Sequence, residues 1–119
     1  MFKEKLLLAT TNQGKAKEIK SYLQELLLEI FSLQEFSRDE NFPEEGKTFA
    51  ENARGKSLFY SKRWEGLTLA EDSGLEIEHL KGAPGVFSAR FSAPRATDEK
   101  NNQKVLELMK NVPFEQRKA

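Results

Sequence analysis

One stretch constrains this chain more than any other: Leu6-Leu7-Leu8-Ala9-Thr10-Thr11-Asn12-Gln13-Gly14-Lys15. A short apolar run stops at a polar turn holding a glycine and a lysine, and an amphipathic helix pattern begins directly after it. The order is strand, turn, helix N-terminus. Such a turn is a place for phosphate, because the first amides of a helix have no internal partner and the positive end of the helix dipole lies there. Lys15 adds a full charge, and Thr10, Thr11 and Asn12 add short hydrogen-bonding groups. The turn is not a Walker A loop, which needs two glycines bracketing four residues and then Lys-Ser or Lys-Thr. An ordinary strand-to-helix connection accounts for the same residues.

At 119 residues the chain has room for one domain with a modest core. Its 19 basic and 19 acidic residues cancel, so no net field favours a nucleic-acid duplex or an acidic membrane. A small anionic ligand needs only two or three local cations and stays open. Cysteine is absent, which removes disulfides, thiolate metal sites and thiol nucleophiles together. The apolar run at 6–9 is far too short for a signal peptide or a membrane span. The expected location is therefore the cytoplasm.

Residues 5–9 read as a short buried strand. Ala16, Ile19, Leu23, Leu26 and Leu27 share one face at helical spacing, which predicts a helix over 16–27 packed on that strand. A second strand is expected at 29–33. Residues 34–46 form a polar loop with Pro43 and an acidic patch, Asp39, Glu40, Glu44 and Glu45. Thr48-Phe49-Ala50-Glu51 is a capping box, opening a helix to about Trp64 that buries Phe49, Ala53 and Tyr60. Capping is a sufficient task for Glu51.

Residues 67–70 predict another buried strand, running into Glu71-Asp72-Ser73-Gly74. Two adjacent carboxylates at a strand end can hold a divalent metal through oxygen, and they also serve as plain turn residues. Successive strand side chains point to opposite faces, so only one of the two would face a given site. Alternation at Leu75, Ile77 and then His79 or Leu80 suggests a further strand, closed by the turn residues Gly82-Ala83-Pro84-Gly85. Residues 86–91 are either strand or irregular. Thr97 caps a last helix over about 98–110, with Asn102, Val105, Leu106 and Met109 inward, ended by Val112-Pro113. His79, the only histidine, has no second histidine with which to share a metal and is read as structural or surface.

Five motifs recur in one order. They are Thr10-Thr11-Asn12-Gln13-Gly14-Lys15, Glu44-Glu45-Gly46-Lys47-Thr48-Phe49-Ala50-Glu51-Asn52-Ala53, Glu71-Asp72-Ser73-Gly74-Leu75, the run from Gly82-Ala83-Pro84-Gly85 through Val86-Phe87-Ser88-Ala89-Arg90-Phe91, and Ala96-Thr97-Asp98. In order and spacing they resemble the inosine triphosphate pyrophosphatase family, hydrolases of non-canonical purine nucleoside triphosphates. The resemblance implies an α/β fold, a mixed twisted sheet flanked by helices, of the anticodon-like or Maf-like architecture. It implies cleavage of ITP, dITP and XTP to the monophosphate and pyrophosphate with Mg²⁺, usually by a homodimer; that no nucleic acid or membrane is a partner is the expectation from the balanced charge.

Carried over residue by residue, the resemblance puts the triphosphate-contacting turn on Thr10, Thr11, Asn12, Gln13, Gly14 and Lys15, and a phosphate-side lysine on Lys56. The metal ligands fall on Glu44 and Asp72, the catalytic aspartate on Asp72 with Glu71 able to share its task, and a substrate contact on Ser73. Two positions depart from the family pattern: Thr11 stands where glycine is usual, and Glu71 where aspartate is usual. The family's later motifs, a Gly-Phe-Gly-Tyr-Asp-Pro-like segment and Ser-His-Arg, are not in this sequence. Residues 1–119 are thus expected to be the N-terminal part of a single domain. The competing expectation is a nucleotide-binding or self-associating module without turnover. A septum-inhibition-type nucleotide pyrophosphatase fits less well, because of the run from Ala83-Pro84-Gly85 to Ser88-Ala89-Arg90.

Overall fold

The layers follow from four residues. Leu6 and Leu8 project from one face of an extended chain, Leu7 and Ala9 from the other, and all four are at most 6% exposed. Each face therefore has to be covered. The computed structural model, which describes residues 3–36 and 41–119, supplies both covers. Strand β1 (Glu4–Leu8) lies between β2 (Leu28–Ser32) and β3 (Leu67–Leu69), parallel to each, in the order β2-β1-β3. Helix α1 (Gln13–Leu23) covers the first face, where Ala16 joins Leu6 and Leu8 with Ile19 and Leu23 packed beside them. Helix α2 (Phe49–Ser61) belongs to the second, where Tyr60 joins Leu7 and Ala9 under Phe31, Phe36 and Trp64. Burying a leucine fully contributes about 1.5–3 kcal/mol, which makes β1 the anchor of the sheet.

The chain leaves β1 for β2 on one side and returns to β3 on the other. In parallel sheets this reversal opens a crevice beyond the C-terminal strand ends, where ligands bind. The 10–15 turn follows β1 and Glu71 follows β3, so both stand at that end. The α/β fold expected from sequence is present, and the three described strands are parallel throughout.

Several expectations are corrected. Helix α1 starts at Gln13 and stops at Leu23, leaving Leu26 and Leu27 54% and 66% exposed. Beyond it Leu26 N–H donates to Leu23 C=O at 3.0 Å and Leu28 N–H to Leu26 C=O at 2.8 Å, a turn that feeds β2 directly. Helix α2 ends at Ser61 rather than near Trp64, and its buried residues are Asn52, Lys56 and Tyr60, with Phe49 and Ala53 only half-buried. Strand β3 is not buried, since Leu67 and Leu69 are 52% and 40% exposed. Of the acidic patch, Asp39 and Glu40 lie outside the described residues.

Contacts divide the chain into two compact units, 1–71 and 72–119. In the second, the strand expected from Leu75 is a single bridge, Glu76 to Pro84, followed by a 3₁₀ turn at Glu78–Leu80. The turn residues prevail over the alternation: Lys81 and Gly82 take positive φ, and Ile77 is bonded within its own loop, its N–H to Ala83 C=O at 3.1 Å. A second 3₁₀ helix, Gly85–Arg90, replaces the undecided segment at 86–91. Helix α3 (Asp98–Met109) buries Asn101 and Met109, whereas Asn102 and Leu106 are exposed. Val105 and Met109 face inward as expected, but Asn101 takes the place given to Asn102 and Leu106 stays outside, because Asn101 is drawn in by Ser92 and Ala89. Met109 meets Ile77 and Val112 in the small core of this unit. His79 is exposed.

Candidate active site

The turn after β1 is built by short side chains bonding their own backbone. Buried Thr10 accepts Asn12 N–H on its Oγ1 at 3.1 Å, and Asn12 Oδ1 accepts Lys15 N–H at 3.1 Å, capping α1. The first bond inside the helix runs from Ala16 N–H to Asn12 C=O at 3.0 Å. Gln13 and Gly14 thus occupy the first two helical positions, where an amide has no acceptor within the helix. The 10–15 turn expected from sequence is therefore half cap and half first helical turn. Thr11, Asn12, Gln13 and Gly14 are exposed.

Charge gathers beside this helix start. Lys15 Nζ donates to Glu71 Oε2 at 2.7 Å, both side chains about one-third exposed. Lys56 Nζ donates to the Glu71 carbonyl at 3.2 Å and forms an ion pair with Glu44. Lysine is almost never buried without partners, and Lys56, only 8% exposed, has two. Lysines and carboxylates alternate along the row Lys15, Glu71, Lys56, Glu44. Glu44 sits at the apex of a three-residue turn closed by Glu45 N–H on Pro43 C=O at 3.0 Å.

The structure brings Thr10, Asn12, Lys15, Glu44 and Lys56 into one unit and adds Glu71 as the partner of both lysines. Asp72, half-buried, and Ser73, exposed, begin the other unit. The capping reading of Glu51 is borne out: Thr48 Oγ1 accepts Glu51 N–H at 3.1 Å, and Glu51 Oε2 accepts Lys47 N–H at 2.8 Å, one residue ahead of the cap. The sequence sets Asn52 in the second motif but gives it no task; in the structure it is 1% exposed and accepts Gly46 N–H at 2.7 Å. The signal available was a polar residue one helical turn before Lys56 on the same face.

The donor chemistry fits a hard divalent cation, since the carboxylates offer oxygen and cysteine thiolates are absent. Among the described residues no three His, Asp or Glu side chains gather into a metal cage. No helix of the described residues is long and apolar enough to cross a membrane.

Residues 6–119 match the family model of the Ham1 family. The chain belongs to the Ham1 family. Among its Ham1 relatives, the dITP/XTP pyrophosphatase of Thermoanaerobacter pseudethanolicus is 44% identical over 115 residues, 97% of this chain and 58% of that protein. The dITP/XTP pyrophosphatase of Escherichia coli K12 is 45% identical over 116 residues, 98% of this chain and 58% of that one. The solved Ham1 protein of Coxiella burnetii superposes with a TM-score of 0.79 at 39% identity, covering 90% of this chain and 54% of that structure. That of Staphylococcus aureus gives 0.77 at 34%, covering 92% and 56%. This Ham1 chain spans a little over half the length of the relatives it matches.

Proposed function

We propose that the chain carries the phosphate- and metal-handling part of a nucleoside triphosphate pyrophosphohydrolase that converts dITP, ITP and XTP to the monophosphate and pyrophosphate. The observation that carries this reading is the alternating row Lys15, Glu71, Lys56, Glu44 beside the first amides of α1. The identity to dITP/XTP pyrophosphatases supports it. Each of the two lysines meets a carboxylate, Lys15 that of Glu71 and Lys56 that of Glu44. A triphosphate is the better partner for Lys15, Lys56 and the Gln13 and Gly14 amides, and its arrival frees carboxylate oxygen for a cation.

Glu44 and Asp72 are the residues that would hold Mg²⁺, which when bound would neutralise charge on the leaving pyrophosphate. Asp72 acts as general base, its carboxylate taking a proton from water as the water oxygen bonds to the α phosphorus and the bond from that phosphorus to the bridging oxygen breaks, releasing pyrophosphate. Ser73 contacts the substrate, and Thr10 and Asn12 hold the turn in shape. A homodimer completes the proposal on the strength of the family resemblance, and sedimentation at twice the chain mass is the expected result.

The test is pyrophosphate release from dITP and XTP with Mg²⁺, compared with Asp72→Asn. Loss of general-base catalysis lowers the rate about 10²–10⁴-fold. Undiminished turnover in that variant removes Asp72 from the mechanism. Nucleotide binding by calorimetry without product replaces the enzyme by a binding module.

A further inference from the structure

The buried stripe of α2 has a regularity that the chemistry above does not require. Asn52, Lys56 and Tyr60 follow at four-residue steps, and each holds one residue of the preceding segment, taken backwards at two-residue steps. Asn52 Oδ1 accepts Gly46 N–H at 2.7 Å, Lys56 pairs with Glu44, and Tyr60 Oη accepts Phe42 N–H at 3.4 Å. Four helical residues advance about 6 Å, and two residues of chain can span up to about 7 Å, so the segment can reach the helix once per step even with the turn closed between Pro43 and Glu45. The two periods therefore stay in step over three contacts.

The fit is steric as well as polar. A Cβ on Gly46 would collide with Asn52 Oδ1, and one on Gly55 would stand 2.6 Å from Phe42 Cζ. Glycine at both places lets the segment lie close against the helix. Glu44 occupies the apex between the two anchored ends, so its carboxylate has little freedom to choose another place.

We propose that Asn52 is a positioning residue, which together with Tyr60 clamps 42–46 along α2 and so sets where the Glu44 carboxylate stands. The consequence for cation binding rests on the function proposed above, whereas the clamp itself does not. Tyr60 also fills the core beside Leu7 and Ala9, so its removal would mix two effects. Asn52 is the cleaner probe.

The 119-residue chain is compared with Asn52→Ala and Gly46→Ala by amide hydrogen exchange and by Mg²⁺ titration followed through backbone amide shifts. In Asn52→Ala the Gly46 amide should exchange roughly tenfold faster while amides in α1 keep their protection. Half-saturating Mg²⁺ should rise at least about tenfold, the usual cost of losing an outer-shell support. Gly46→Ala takes no polar group away and should raise it likewise, and it carries the test if Asn52→Ala does not fold. In a Glu44→Gln background, adding Asn52→Ala should change half-saturating Mg²⁺ less than about twofold, since Asn52 acts through Glu44.

Losses that multiply in that background, or unaltered Gly46 exchange in Asn52→Ala, overturn the proposal. An unaltered Mg²⁺ response in both single variants does the same. If the unsubstituted chain ignores Mg²⁺ while Gly46 exchange still answers to Asn52, the functional reading fails and the clamp stands. The converse result removes the clamp and leaves the reading.

Discussion

Helices α2 and α3 begin alike and then part. Each opens on a threonine cap, Thr48 accepting Glu51 N–H and Thr97 accepting Lys100 N–H, both at 3.1 Å. Each has a buried asparagine four residues on, and its Oδ1 takes an amide of the loop before the helix: Gly46 at 2.7 Å for Asn52, Ser92 at 2.9 Å for Asn101. At the next two inward turns α2 has Lys56 and Tyr60, while α3 has Val105 and Met109. The cap and the asparagine are a common device for fixing a loop on a helix. What sets α2 apart is the lysine, buried between the Glu71 carbonyl and Glu44 where α3 has an apolar side chain.

The hardest blow to that comparison is to give α3 the charge of α2. Met109→Lys puts an ammonium beside Ile77 and Val112 with no carboxylate in that cluster, and an uncompensated buried charge costs about 3–5 kcal/mol. Denaturant unfolding should show that loss, and a loss under 1 kcal/mol would mean that this small core admits water. The reverse exchange, Lys56→Met, should weigh more on turnover than on stability. Methionine fills the volume of the lysine but takes its ammonium from the one-third-exposed Glu44 carboxylate and from the Glu71 carbonyl, which should cost about 1–3 kcal/mol. Turnover in the proposed reaction should fall about 100-fold or more. A variant that loses stability and keeps turnover would make Lys56 a structural residue like its counterpart in α3.

A smaller effect is expected where the two helices agree. Asn101→Ala strips partners from Ser92 N–H, Ser92 Oγ and Ala89 C=O, which should cost about 2 kcal/mol. It should leave half-saturating Mg²⁺ unchanged, in contrast to Asn52→Ala. A joint change would mean that the asparagine device acts on the cation site from either helix.

What could be read from sequence was local. Thr48 with Glu51, Thr97, the apolar run at 6–9 and the Gly82 turn each carry their own chemistry within a few residues, and each falls where expected. The misses needed partners distant in the chain. Apolar alternation at Leu75 and Ile77 promised a strand, but the backbone bonds of Ile77 go to its own loop. Leu26 and Leu27 continued a helical stripe past the point where the chain turns into β2. Asn52 and Asn101 were not legible as anchors because their partners, the Gly46 and Ser92 amides, lie in loops whose path helical spacing does not fix, and that spacing turns Asn102 rather than Asn101 inward. Of the site, Lys15 was legible in its own turn and Lys56 and Glu44 came from the resemblance, while the part of Glu71 as partner to both lysines appears only once β3 is laid beside β1.

The gentlest test concerns the face that α3 turns inward. Apolar spacing alone turns Leu106 inward on α3, whereas the asparagine-keyed register puts Asn101, Val105 and Met109 there and leaves Leu106 63% exposed. Leu106→Gln should therefore change stability by less than about 0.5 kcal/mol, as surface substitutions do. Were the apolar register correct, the same change would strip a core leucine and cost at least about 2 kcal/mol. The fourfold gap is well within reach of a denaturant titration. It would show whether a single buried carboxamide, through three hydrogen bonds, outweighs the pull of a leucine in setting how a twelve-residue helix is rotated on its neighbours.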